Sequence, residues 1–281
     1  MRFGITLGRL NPAWFVAAAQ TADELGFESV WMSDHLVAPV RSQGSLHSGR
    51  EVGLAPSTPL LDPAVLGAHI AALTTSVRIG TYVYLLGIRH PFVSARAFAT
   101  MDVLSAGRVS LGVGSGWLAS EWTASGIDPH ERGARLDEAI DVCRRLWRDD
   151  VVEHDGPYFP FEPVGFEPKP YQRPIPIHVG GESTKALARA ANMGDGWMGM
   201  AHTPESAAHT VEALRGRRAD GPRSNDPLEV TVLGEVASLD DVERYEAAGV
   251  DRLIVTPWSR SSEVCDSLKA FADLVGIEAA S

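Results

Sequence analysis

The sequence predicts a (β/α)8 TIM barrel of the α/β class, formed by one domain over residues 1–281. Apolar runs of strand length alternate with amphipathic helical stretches, and eight such pairs follow one another. Several helices begin with a capping side chain before a proline, as at Asn11-Pro12, Asp62-Pro63 and Thr203-Pro204. Near-continuous apolar strands that each lead into a helix are typical of a parallel sheet buried on both faces.

The predicted strands share an apolar sequence bounded by turn residues. They are Phe3–Leu7, Ser29–Met32, Val77–Val83, Val109–Val113, Ile175–Val179, Gly196–Met200, Glu229–Glu235 and Arg252–Thr256. The last predicted helix covers about Ser262–Leu274. An open doubly wound sheet is the alternative, but its early strand–GxGxxG–helix fingerprint is missing. The run Gly112–Trp117 fails that spacing because tryptophan stands at its last position.

Two segments interrupt the alternation. Leu36–Leu61 is a long connection after the second strand, rich in glycine, serine and proline. Loops of that length in compact domains are usually functional, so we interpret it as a candidate lid that selects the substrate. Asp149–Pro174 is an insertion before the fifth strand, and its strand-like pieces Val151–His154 and Tyr158–Phe161 suggest a hairpin.

Composition excludes some partners. The formal net charge is -11, which makes nucleic acid or an anionic membrane a poor partner. No run of about 18 apolar residues predicts a membrane span. The first residues do not resemble a signal peptide. Cys143 and Cys265 lie far apart in predicted helices, which indicates a reducing compartment such as the cytoplasm.

Chemistry in this fold lies at the carboxyl ends of the strands. The second strand ends in Ser33-Asp34-His35, which fits either a cofactor contact beside a proton donor or acceptor, or a capping Asp beside a structural His. The third strand continues through Tyr82, Val83, Tyr84 and Leu85, which could back a flat ring or simply pack the barrel.

Two glycine loops follow neighbouring strands. Gly114-Ser115-Gly116 and Val179-Gly180-Gly181-Glu182 offer free backbone amides, and the second precedes a helix start. Such loops can bind phosphate, although each alone also fits a tight turn. His35 and His178 both follow strands and could converge on a metal, but the chain has no His-x-His pair and no HExxH. A metal hydrolase therefore stays an alternative, whereas a serine hydrolase lacks its G-x-S-x-G elbow.

Taken together, these elements resemble the bacterial luciferase-like family of flavin- and deazaflavin-dependent oxidoreductases. The resemblance covers about residues 2 to 200, and its motifs occur in the family's order. They are Trp31–His35, Arg89-His90-Pro91, Leu104–Arg108, Gly112–Trp117, Arg132-Gly133 to Asp137-Glu138, Val179-Gly180-Gly181 and Gly194–Trp197. The S-D-H and G-V-G-x-G-W strings are most similar to the branch that uses coenzyme F-420, a deazaflavin.

The resemblance implies a usually dimeric barrel with the cofactor ring over the third strand. Relatives carry a non-prolyl cis peptide there, which corresponds to Tyr82–Val83. Asp34, Tyr82, Val83 and Leu85 would contact the ring, and His35 would donate or accept the proton. The residues that would hold the cofactor phosphate are Ser115, Gly116, Val179, Gly180 and Gly181, and Gly114 and Glu182 would also bind the cofactor.

Trp117 departs from the sugar-phosphate dehydrogenases of the family, which have a glutamate there. Together with only three lysines in the chain, this favours an apolar or aromatic substrate. We expect hydride transfer between F-420 and an organic substrate, with a separate enzyme recycling the cofactor. The alternatives are an FMN-dependent two-component monooxygenase and a binding protein whose pocket Trp117 plugs.

Overall fold

The computed structural model describes residues 1–40 and 54–278. Its strands are β1 (Arg2–Thr6), β2 (Ser29–Met32), β3 (Arg78–Thr81), β4 (Val109–Val113), β5 (Val151–His154), β6 (Phe161–Gly165), β7 (Ile177–Gly180), β8 (Gly196–Gly199), β9 (Glu229–Leu233) and β10 (Arg252–Val255). All except β5 and β6 pair in parallel and close a barrel in which β10 returns to β1. The predicted eight-stranded barrel is confirmed.

Helices surround the barrel. They are α1 (Phe15–Leu25), α2 (Pro63–Leu73), α3 (Pro91–Leu104), α4 (Ala119–Ala124), α5 (Arg132–Arg148), α6 (Thr184–Met193), α7 (Pro204–Ala219), α8 (Leu239–Ala247) and α9 (Val264–Val275). The predicted caps are present: Asp62 accepts from the amides of Ala64 and Val65 at 2.9 and 3.1 Å, and Thr203 forms a capping box with Ser206. Within the described ranges, no helix has the length and apolar character of a membrane span.

The two interruptions have different outcomes. The insertion before the fifth barrel strand is an antiparallel hairpin of β5 and β6, and its second strand begins at Phe161 rather than at Tyr158. The candidate lid falls largely on residues 41–53, which lie outside the described part of the chain. Its described ends, residues 36–40 and 54–61, form neither helix nor strand.

The third strand is shorter than predicted. Regular pairing of β3 stops at Thr81, and the chain returns to the sheet only as an isolated bridge between Tyr84 and Val113. The backbone therefore leaves the ladder at Tyr82 and Val83, where the resemblance places a bulge. Inside the barrel these two side chains pack on a small apolar cluster, formed by Trp31, Met198, Leu233 and Ile254.

Charged side chains fill the amino end of the barrel. We call Arg2, Glu28, Glu229 and Arg252 the basal ion network. Arg252 is 1% exposed, donates to both Glu28 oxygens at 2.6 Å and also bonds to Glu229. Burial alone would raise the pKa of Glu229, but attraction to His178, Arg252 and Arg2 lowers it to about 2. The network satisfies its charges internally at this end of the barrel.

Candidate active site

Asp34 is a buried carboxylate just beyond the end of β2. It accepts from the Leu85 amide at 2.8 Å and from the Arg89 guanidinium through both oxygens, at 2.6 and 2.8 Å. Burial alone would lower the pKa of Arg89, but its bonds to Asp34 raise it. Asp34 therefore fixes the loop after β3, including Leu85, to the end of β2. Direct contact of Asp34 with a cofactor stays a prediction.

His35, the next residue, is held from two sides. Its Nδ1 lies 2.8 Å from Oε2 of Glu121, a carboxylate that is only 1% exposed. The ring of Trp117 stands edge-on to the imidazole, with centroids 5.8 Å apart and planes at 86°. Glu121 also accepts from the Leu36 amide at 2.5 Å through its other oxygen. No described residue bonds to Nε2 of His35, so that nitrogen is the one available to a ligand.

Val83 lies between the two glycine loops. The Tyr82–Val83 peptide bond is cis, as the resemblance implies. A Cβ on Gly114 would come within 2.5 Å of Val83, and a Cβ on Gly180 within 2.6 Å. Since carbon atoms in contact are normally about 3.5–4.0 Å apart, Val83 can occupy this place only beside glycine. Gly114 and Gly180 are thus explained by packing, and they give the half-buried Val83 side chain its position.

The glycines nearer the loop tips are required by their backbone conformation. Gly116 has φ +67° and Gly181 has φ +121°, which side-chain-bearing residues rarely adopt. A Cβ on Gly116 would also meet Leu85 at 2.9 Å and Nε1 of Trp122 at 3.3 Å. That indole nitrogen is fully buried and has no hydrogen-bond partner among the described residues. The unpaired Trp122 Nε1 lies beside the backbone of Gly116, in the loop that also contains the half-buried Ser115. A donor without a partner at this place fits the binding of an anionic ligand group.

Glu182 turns away from the glycine loop that precedes it. Its Oε1 accepts from the Met200 amide at 2.8 Å, and its Oε2 lies 3.1 Å from Nε2 of His202. Glu182 therefore joins the loops after β7 and β8. The Val179 side chain is fully buried, so only its backbone could face a ligand. Tyr82 donates to the carbonyl of Gly199 at 2.5 Å.

His178 does not join His35. It lies inside the barrel near the basal ion network, with Nδ1 at 3.5 Å from Glu229. Burial lowers the pKa of His178 to about 4, against the attraction of Glu229. Among the residues in ranges 1–40 and 54–278, no group of three or more His, Cys, Asp or Glu could hold a metal ion.

The structure thus brings most of the candidate residues to one rim of the barrel. Bonds or close contacts connect Asp34 to Leu85, His35 to Trp117, and Val83 to both glycine loops. An imidazole with one free nitrogen can move a proton, and an apolar side chain framed by glycines can support a flat ring.

Glu121 was not predicted from the sequence. It lies on the six-residue helix α4, outside every motif named above. Its signal was a single acidic residue next to Trp122 in a short helix after a glycine loop. Arg89 was named only as part of the Arg89-His90-Pro91 motif, and the structure shows it paired with Asp34.

Two curated relatives have named activities. An F-420-dependent glucose-6-phosphate dehydrogenase of Amycolatopsis mediterranei is 38% identical, over 68% of this chain and 54% of its own length. An F-420-dependent hydroxymycolic acid dehydrogenase of Mycobacterium tuberculosis is 34% identical, over 84% of this chain and 64% of its own length. The present chain is therefore shorter than either of these two relatives.

Solved structures share the fold. An F-420-dependent secondary alcohol dehydrogenase has a TM-score of 0.79 and 19% identity, with 98% of each chain covered. Monooxygenase RslO1 from Streptomyces bottropensis has a TM-score of 0.75 and 24% identity, also with 98% of each chain covered. The family model for luciferase-like monooxygenases matches residues 2–270. The chain belongs to the luciferase-like monooxygenase family.

Proposed function

We propose that this chain is an F-420-dependent oxidoreductase that interconverts a hydroxyl and a carbonyl group on a mainly apolar substrate. His35 carries the proposal, because a half-buried imidazole with Glu121 on one nitrogen presents the other to a ligand. The activities named for the two relatives support both the cofactor and the class of reaction.

The residues at the rim fit the cofactor. Val83 offers an apolar surface between Gly114 and Gly180, on which a flat ring can lie. The unpaired Trp122 Nε1 and the open backbone at Gly116 supply donors for its phosphate. A bound deazaflavin supplies a carbon that accepts or returns a hydride. The protein supplies position and a proton path.

The proton path follows from His35. Nε2 of His35 would accept the hydroxyl proton of the substrate, while a bound cofactor would take the hydride from the same carbon and leave a carbonyl group. In the reverse direction the imidazolium returns that proton. Trp117 stands beside His35 and supplies an apolar wall, which supports an apolar or aromatic substrate over a sugar phosphate.

A paired titration tests the cofactor. The protein is titrated with F-420 and with FMN, and ligand fluorescence reports binding. We expect tight binding of F-420, and weaker binding when Val83 is replaced by aspartate. Preference for FMN would favour the two-component monooxygenase, and binding of neither would overturn the proposal.

An alcohol panel tests the reaction. F-420 reduction is followed with primary, secondary and aromatic alcohols. We expect His35→Ala to retain F-420 binding and to lose about 100-fold or more in turnover, since positioned proton transfer contributes about 10²–10⁴-fold. The control is His209→Ala, which changes an exposed histidine on α7. Equal turnover in His35→Ala would remove that residue from the mechanism, and F-420 binding without turnover of any substrate would favour the binding-protein alternative.

We also propose a homodimer. The described face of α2 and α3 exposes apolar side chains, with Val65 at 72%, Val93 at 63% and Leu104 at 69%. Exposed apolar side chains on two neighbouring helices support an interface between subunits. Light scattering should give a dimer for the wild type and a monomer for Val65→Glu with Leu104→Glu. A wild-type monomer would overturn this proposal.

The remaining proposals concern the setting of the enzyme. We propose that residues 1–281 form one domain, that the enzyme works in the cytoplasm and that a separate enzyme recycles F-420. Both cysteines are free, which supports a reducing compartment. Limited proteolysis that gave two stable fragments would contradict the single domain. Activity found only in secreted fractions would contradict the location. Many turnovers per molecule of F-420, with no second enzyme present, would contradict the need for a recycling enzyme.

A further inference from the structure

We propose that Glu121 is a positioning residue that sets the tautomer of His35, with the proton on Nδ1 and a bare Nε2 facing the substrate. The role in catalysis rests on the proposed function above, whereas the tautomer is a property of the chain alone.

A carboxylate accepts hydrogen bonds and does not donate them. Oε2 of Glu121 lies 2.8 Å from Nδ1 of His35, so the hydrogen between them belongs to the imidazole. In a neutral imidazole only one nitrogen carries hydrogen, which leaves Nε2 as an acceptor.

The second oxygen of Glu121 fixes the rotation of the carboxylate. Oε1 accepts from the amide of Leu36 at 2.5 Å and faces the amide of Val37 at 3.4 Å. The side chain is 1% exposed, so water cannot replace these partners. Backbone donors on one oxygen and the imidazole on the other satisfy the carboxylate as an ion.

Two other contacts hold the imidazole in this orientation. Trp117 stands edge-on to the ring at 5.8 Å, and the preceding Asp34 is anchored to Leu85 and Arg89. The same Glu121 bonds fix the chain at residues 36 and 37, where the connection toward residue 41 begins. The carboxylate therefore orients the proton acceptor and anchors the start of that connection.

This arrangement gives Glu121→Gln an unusual consequence. The Leu36 amide still needs an acceptor, so the new amide oxygen takes that position and its NH2 group faces His35. An NH2 group donates, so Nδ1 becomes an acceptor and the proton moves to Nε2. The variant keeps the shape of the side chain and reverses the tautomer, which removes the proton acceptor from the substrate side.

The test is nuclear magnetic resonance of protein labelled with 15N-histidine, without any ligand. The chain has nine histidines, and loss of one set of peaks in His35→Gln assigns the relevant ring. We expect protonated Nδ1 and bare Nε2 in neutral His35 of the wild type, the reverse in Glu121→Gln, and the wild-type pattern in Glu121→Asp. A wild-type ring with the proton on Nε2 would overturn the proposal even if neither Glu121 variant folds.

A matched control separates positioning from general damage. Glu138 makes the same kind of contact at the hairpin, with Oε1 at 3.0 Å from Nε2 of His154. Glu138→Gln should leave the His35 peaks unchanged. With F-420 and an alcohol from the panel, Glu121→Gln should lower kcat about 100-fold, with little change in KM. Unchanged kcat would overturn the catalytic part. Failure of F-420 to bind wild type would instead overturn the proposed function and leave the tautomer result intact.

Discussion

The packing of Val83 between Gly114 and Gly180 allows a quantitative prediction. In Gly180→Ala the new methyl would lie 2.6 Å from Val83 Cγ1, about 1 Å inside normal contact. Overpacking of this kind costs about 1–3 kcal/mol of unfolding free energy. Val83→Ala removes two partly exposed methyl groups and should cost about 1 kcal/mol by itself.

The double variant is the informative one. With the valine methyls gone, the alanine at position 180 has space, so Gly180→Ala should then cost at least about 1 kcal/mol less than it does in the wild type. Urea unfolding of the four proteins gives the coupling free energy. Gly216→Ala on α7 is the control, because its new methyl meets nothing within 4 Å and should not couple to Val83→Ala.

Additivity would refute this reasoning. If the two changes sum to within about 0.5 kcal/mol, Val83 does not determine the glycine at position 180. The glycine would then need another cause, such as the close approach of a ligand phosphate. F-420 binding by the double variant, compared with binding by Val83→Ala alone, distinguishes these causes, since a phosphate contact would still be blocked by the alanine.

The remaining predictions concern buried charge. The pKa of His178 is about 4 in the folded protein against 6.5 for the free group, so unfolding takes up a proton between these values. Stability should therefore fall with pH below 6.5, by about 2 kcal/mol at pH 5, and His178→Gln should lack this contribution in thermal melts at both pH values. Asp34→Asn leaves the Arg89 guanidinium, 11% exposed, without its carboxylate. It should cost about 3 kcal/mol in urea unfolding, and a loss below about 1 kcal/mol would contradict the anchoring role.

The barrel could be predicted because its signals are local and repeated. Apolar runs gave Ser29–Met32 and Val109–Val113 with their observed bounds. Prolines after capping residues marked the helix starts. The predicted strand ends were less accurate. The prediction was Val77–Val83, but β3 stops at Thr81, because the hydrogen-bonded ladder ends while the apolar sequence typical of a strand continues.

The site could be predicted only in part. His35 and Val83 follow strands, so the fold itself places them at the rim. The His35 partner, Glu121, lies 86 residues away, and the glycines at positions 114 and 180 fit a tight turn and a phosphate loop equally well in sequence. His178 shows the same limit, since its strand position does not reveal that it faces the basal ion network.

The basal ion network gives the two ends of this barrel different capacities to evolve. Replacing Arg252 removes the main partner of both Glu28 and Glu229, and the loss of one partner of a buried ion pair costs about 3–5 kcal/mol, a large share of a domain's stability. The opposite rim bears Trp117 and the loops after β7 and β8. Their side chains can change without removing a partner from the charged groups of the basal ion network. A directed-evolution library seeking new substrates should therefore randomise the rim and keep Arg252 and its two glutamates unchanged.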